Sequence, residues 1–106
     1  MSKYVIPRFK LILFYDVLPD RSEEYQQFVT TELVPMIQSM GLYMFRVFHT
    51  SWGDCPMRQA EFVAENLETV HLMFADGQWQ ALEERLQHYV TNYQRKLVRF
   101  RPGFQF

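Results

Sequence analysis

Between Phe9 and Val17 apolar residues occupy both parities of the chain, with Phe9, Leu11, Leu13 and Tyr15 on one and Ile12 and Phe14 on the other. Successive side chains of a strand point to opposite faces, so this run predicts a strand that is apolar on both. The stretch before it, Met1 to Arg8, reads as a short arm, with Pro7 unable to donate to a central ladder. The period then lengthens. Tyr25, Phe28, Val29, Leu33, Met36, Ile37 and Met40 recur at helical spacing and make one apolar stripe. Residues 18–22 form the preceding loop. Ser22 is placed to cap this helix, and Glu23 and Glu24 suit the positive end of its dipole. Pro35 removes a backbone donor inside the stripe and predicts a kink, and Gly41 is the expected stop.

Residues 42–66, LYMFRVFHTSWGDCPMRQAEFVAEN, return to alternation around Gly53-Asp54, a favoured two-residue hairpin turn. With the turn as centre, facing positions sum to 107. That places Tyr43 opposite Ala64, Phe45 opposite Phe62 and Val47 opposite Ala60 on one face. On the other it places Arg46 opposite Glu61, Met44 opposite Val63, Leu42 opposite Glu65 and Phe48 opposite Gln59. Pro56 leaves room for a longer loop of the same parity. Asn66 then caps a helix with Leu67, Val70, His71 and Phe74 on one side. Asp76-Gly77 breaks it, and Asp76 caps a second segment with Trp79, Leu82, Leu86, Tyr89 and Val90 inward. Residues 92–101 read as a final strand, before an aromatic tail.

The order strand, helix, strand, strand, helix, strand is the split βαβ arrangement. It predicts an α+β, ferredoxin-like fold: a four-stranded antiparallel sheet with both helices on one face. The uncovered face would carry Leu42, Met44, Phe48 and Val63 beside Arg46 and Glu61, together with one parity of the first strand. A face left in water should be polar. Apolar area of that extent calls for a partner, and the simplest is a second copy on a two-fold axis, enclosing a cavity between two sheets.

Three features give these expectations a family likeness. They are the first helix with its late proline and closing glycine, EEYQQFVTTELVPMIQSMG; the broken second helix, NLETVHLMFADGQWQALEERL; and the polar-aromatic last strand, NYQRKLVRF. With them the chain resembles the dimeric α/β-barrel superfamily over about Phe9 to Arg101. That superfamily includes cofactor-free monooxygenases, haem-binding enzymes, lactone isomerases and proteins of unknown role. The resemblance implies a fold and a homodimer but no single chemistry.

Composition narrows the picture little. The 106 residues make one ordinary domain, 48% of them hydrophobic, so a core is within reach. A net charge of −1 gives no long-range pull towards nucleic acid or membrane. The third strand, MRQAEFVAEN, lacks the basic, glycine-rich pattern of RNA recognition modules and carries Glu61 and Glu65. No apolar run is long enough to span a bilayer, and the N-terminus has no signal-peptide pattern. With a single cysteine, Cys55, the expectation is a soluble cytoplasmic protein that binds neither nucleic acid nor membrane.

Candidate chemistry centres on Arg46 and Glu61. A guanidinium presents planar paired donors to a carboxylate or enolate, and a buried Glu61 is a candidate to move a proton. The bland alternative is a cross-strand ion pair, worth under about 1 kcal/mol if exposed. His49 is a second candidate proton carrier, and Arg99 and Tyr15 are candidate ligand-binding residues. His71 reads as a partly buried helix histidine rather than a haem ligand, and His88 as solvent-facing. The three histidines have no metal-ligand spacing, so no metal and no cofactor is assigned. The expected role is small-molecule binding, or cofactor-free monooxygenase- or isomerase-like catalysis, in a cavity between the sheets of a homodimer. The alternative is a non-catalytic dimeric scaffold.

Overall fold

The computed structural model describes residues 6–52 and 55–101, and side chains are described for all of these except 50–52, 55 and 56. The sheet consists of β1 (Phe9–Val17), β2 (Tyr43–Trp52), β3 (Cys55–Ala64) and β4 (Val90–Arg99), every pairing antiparallel, in the order β2-β3-β1-β4. A 3-10 turn at Pro19–Arg21 leads into α1 (Ser22–Phe28), a π-helical turn (Val29–Leu33) and α2 (Val34–Ser39). After the hairpin come α3 (Leu67–Ala75) and α4 (Gly77–Leu86). The ferredoxin-like fold and the antiparallel sheet expected from the pattern are both present.

One core joins the helices to one sheet face. Leu11, Leu13, Tyr15 and Val17 of β1 and Ala60, Phe62 and Ala64 of β3 pack against Tyr25, Phe28, Leu33, Ile37, Val70, Met73, Trp79 and Leu86. The small side chains of Ala60 and Ala64 alternate with Phe62 along β3, as the sequence pattern anticipated.

The first helix begins at Ser22, but the cap position belongs to Arg21 and no side chain caps it, contrary to expectation. The 3-10 turn carries the chain into the helix directly, so no extended residue precedes Ser22 to serve as a cap. The irregularity expected at Pro35 lies just before it. The Val34 N–H reaches back five residues to the Val29 carbonyl, and Pro35 sits in the first turn of α2, where a missing donor costs least. Thr30 and Thr31 donate their hydroxyls to the Gln26 and Gln27 carbonyls alongside. Gly41 ends the helix at a φ of 97°.

Asn66 and Asp76 cap as expected, accepting from the Thr69 and Gln78 N–H groups at 2.8 and 2.7 Å. Within α3 the core positions are Val70 and Met73, while Leu67 and His71 are exposed; the inward face of this helix is rotated from the one expected. Asn92 lies not at the start of β4 but inside it, at a positive φ of 55°, beside the bulge between Phe14 and Asp16. Its side chain donates to Asp16 Oδ2 at 2.8 Å. That local bond suits a residue type that tolerates the left-handed region.

The hairpin holds the 107 register from Arg46–Glu61 through Val47–Ala60 and Phe48–Gln59 to Trp52–Cys55, so the strands run past Pro56 without a longer loop. Pro56 falls just beyond the last β1–β3 pair, Asp16 with Met57, where β1 needs no donor from it. The turn residues Gly53 and Asp54 lie outside the described residues.

Below Arg46 the register breaks. A bulge between Met44 and Arg46 shifts the pairs to Met44–Phe62 and Tyr43–Val63. Leu42 therefore joins the core, Met44 faces the helices, and Tyr43 and Phe45 turn to the other side. The expected pairs Tyr43–Ala64, Phe45–Phe62 and Met44–Val63 are thus corrected, as is the second-face placement of Leu42 and Met44. One extra residue exchanges every side chain beyond it between faces.

Candidate functional site

Two constellations stand back to back across the sheet. On the face without helices, Glu61 is 1% exposed although no helix covers it. Its own neighbours enclose it. Arg46 Nε donates to Oε1 at 2.7 Å, Gln59 Nε2 to Oε2 at 2.6 Å, and Lys10 Nζ lies 3.3 Å from Oε1. Burial pulls the Glu61 carboxyl up, but the hydrogen bonds from Arg46 and Gln59 and the Lys10 charge outweigh it, so the group sits below its ordinary value. It is therefore a firmly ionised counter-ion. The Arg46 guanidinium lies between the rings of Phe45 and Phe48, 4.9 and 4.8 Å from their centroids, and Phe45 meets Phe100 edge to face. Arg46 and Glu61 thus share a face and a bond, as the register predicted.

On the helix side, a cleft of roughly 340 Å³ opens between α1, the π-helical turn and the β2–β3–β1 part of the sheet. Leu13, Val29, Leu33, Val34, Met44, Val47, Ala60 and Phe62 form its apolar wall. Tyr15, Tyr25, Gln26, Thr30, His49 and Arg58 bring polar atoms to it. The strand register explains the meeting, because Arg58 faces His49 across β2 and Tyr15 across β1. All three share the parity of Ala60, which points to the helices.

The Tyr15 and Tyr25 hydroxyls lie 2.6 Å apart. Burial is the main reason both phenols are held above their ordinary value, with the Tyr25 hydroxyl adding to the effect on Tyr15. They act as neutral hydrogen-bonding groups rather than phenolate bases. One of the two donates to the other. Among the described residues neither hydroxyl has another hydrogen-bond partner, so one proton of the pair is left over.

Arg58 lies over the Tyr25 ring at 5.1 Å and places Nη1 3.2 Å from His49 Nε2. A guanidinium only donates, so Arg58 donates and His49 Nε2 accepts, which leaves the ring proton on Nδ1. The Arg58 Nε is buried without a hydrogen-bond partner among the described residues. An unpaired buried donor of this kind costs about 1–3 kcal/mol, and more where the group is charged.

The sequence candidates are therefore split. Arg46 and Glu61 belong together, but Tyr15 and His49 stand on the opposite side of the sheet and cannot share one cavity with them. Arg99, exposed at the end of β4 opposite Phe9, belongs to neither group and borders a shallow groove with Pro7, Arg8 and Phe100. His71 is exposed on α3, and His88 is exposed in the turn between α4 and β4. Arg58 and Tyr25 were missed. A charged residue at the core parity of a central strand was the available signal for Arg58. Tyr25 was hidden within a helical apolar stripe. A wider, more open depression of about 610 Å³ lies by Phe14, Asp16, Met57, Gln94 and Lys96, largely on the face without helices. Among the described residues no group of three His, Cys, Asp or Glu forms a metal site, and no helix is long and apolar enough to cross a membrane.

No protein-family model matches the chain, and no curated protein sequence matches it. Solved structures do. A NIPSNAP family protein from Agrobacterium tumefaciens is 18% identical with a TM-score of 0.64, covering 95% of this chain and 92% of its own. A Deinococcus radiodurans protein, provisionally described as an antibiotic biosynthesis monooxygenase, is 14% identical with a TM-score of 0.66, covering 92% and 97%. A dimeric ferredoxin-like protein from an uncultured marine organism is 15% identical with a TM-score of 0.62, covering 95% and 94%. At such identities the likeness establishes the fold. These neighbours share the ferredoxin-like fold expected from the sequence.

Proposed function

We propose that this protein binds a small organic molecule in the helix-side cleft and acts on it without a cofactor, as one half of a homodimer joined through the opposite sheet face. The observation that carries the reading is the convergence of His49, Arg58 and the Tyr15–Tyr25 pair on one apolar-walled cleft. Concave apolar sites with a few oriented polar groups are the usual form of small-molecule sites. The cavity expected between the sheets of a dimer is replaced in this reading by the cleft within each protomer.

The chemistry these groups favour is proton transfer. His49 Nε2 is occupied by Arg58 at rest. A substrate oxygen that takes over the Arg58 N–H frees that lone pair to accept a proton from an adjacent carbon. The electron pair left behind moves onto the substrate oxygen, where Arg58 and a tyrosine hydroxyl stabilise it. Return of the proton from His49 to a different carbon completes an isomerisation with no net redox change. Tyr15 keeps a ligand-binding role here. Glu61, ion-paired and ionised, organises the dimer face with Arg46 rather than moving protons. Arg99 has no part in this chemistry. The single cysteine fits a reducing compartment, and the reading places the protein in the cytoplasm.

The experiment is a thermal-shift screen of small organic compounds on the wild type and on Val47→Trp, whose larger ring fills the cleft. Compounds that stabilise the wild type but not the folded variant support the reading. No stabilising compound, or stabilisation indifferent to Val47→Trp, overturns it.

A further inference from the structure

Resting on that reading, we propose that the ligand is an organic carboxylate with an apolar body, and that Arg58 is its counter-charge. Five ion pairs occur among the described residues: Lys10–Glu61, Arg46–Glu61, Arg21–Glu24, Arg85–Glu32 and Arg95–Glu83. Arg58 is in none of them. No residue lining the cleft is acidic. Among the described residues the permanent positive charge of Arg58 is met by the Tyr25 ring and by a histidine nitrogen that accepts from it, and its Nε has no partner there.

Gln26 and Thr30 also line the cleft and can both donate and accept, but the tyrosine pair and the guanidinium point the same way. The spare hydroxyl proton of the tyrosine pair is a donor, and so is each guanidinium N–H. The cleft therefore offers donors and a positive charge, and its complement is an acceptor-rich anion. A carboxylate matches the planar fork of a guanidinium with two parallel bonds, and such charge-assisted bonds are about twice as strong as neutral ones. The apolar wall, with Leu33, Met44, Val47 and Phe62, suits a hydrocarbon body behind the charged end. A cation would meet Arg58 unscreened, and a neutral amide would leave its charge unanswered.

The test is isothermal titration of the full chain with two matched pairs of probes, naphthoate against naphthamide and octanoate against octanamide. The carboxylate of at least one pair should bind tighter than its amide by on the order of tenfold or more, the expected worth of one hydrogen bond to a charged group. In Arg58→Met that advantage should vanish, while Arg58→Lys should keep part of it and guard against a variant that fails to fold. Equal binding of acid and amide, abolished by Val47→Trp, overturns the anion assignment and leaves the cleft reading intact. An acid preference that survives in folded Arg58→Met overturns the assignment to Arg58. Binding by neither pair, or binding untouched by Val47→Trp, overturns the cleft reading itself.

Discussion

Two charged residues of one hairpin, three places apart in the register, have opposite situations. Glu61 is fully answered by Arg46, Gln59 and Lys10, and Arg58 is not answered by any acid among the described residues. The first was legible in the sequence, because a two-residue turn fixes which residues face each other. The second was not sought, because an arginine near a strand end reads as solvated unless its parity is followed to the helix side. The environment of Glu61 has a pH consequence. Its pKa is lowered on folding, so its contribution to stability is complete above the ordinary value of 4.5 and is lost as pH falls through the lower folded value. Wild type should therefore exceed Glu61→Gln in Tm by the largest margin near neutrality, with the margin shrinking in acid. Thermal denaturation of both proteins across that range checks the sign, and a margin that grows in acid would refute it.

Among the elements, helix boundaries and caps at Asn66, Asp76 and Gly41 followed from residue type, because each depends on chemistry within a few positions. The bulge in β2 did not. Strict alternation would set Leu42 and Met44 beside Arg46, but the core claims Leu42, and the chain meets both demands with one extra residue. That choice is made by packing against the helices and leaves no turn residue to mark it. The end of α2 offers a local test. Gly41 has a φ of 97°, and a Cβ there would stand 2.9 Å from Thr69 Cγ2. Gly41→Ala combines backbone strain with a close contact. It should cost about 1–3 kcal/mol in urea unfolding with little change in the slope. An unaltered midpoint would contradict the described geometry.

Across the whole molecule, the sheet face without helices leaves Phe45, Phe48 and Met57 about 45%, 44% and 44% exposed around a buried, satisfied ion cluster. The sequence expects this face to be too apolar for water, and the bulge changes which residues compose it. A second copy would bury Phe48 twice on a two-fold axis. If each truncation costs about 2 kcal/mol, Phe48→Ala should raise the dimer dissociation constant by on the order of a hundredfold or more. Sedimentation equilibrium measures this, and an unchanged constant would place the interface elsewhere.

If a second copy takes that face, as proposed, the helix-side cleft is what each protomer has left for a small molecule. Amide chemical-shift mapping on isotope-labelled protein, with the stabilising compounds as ligands, locates the binding site most directly. The expected result is perturbation centred on Leu13 and Tyr15, the turn from Val29 to Leu33, and Arg58 to Ala60. Perturbation centred instead on Lys10, Ile12 and Phe48, across the sheet, would contradict it.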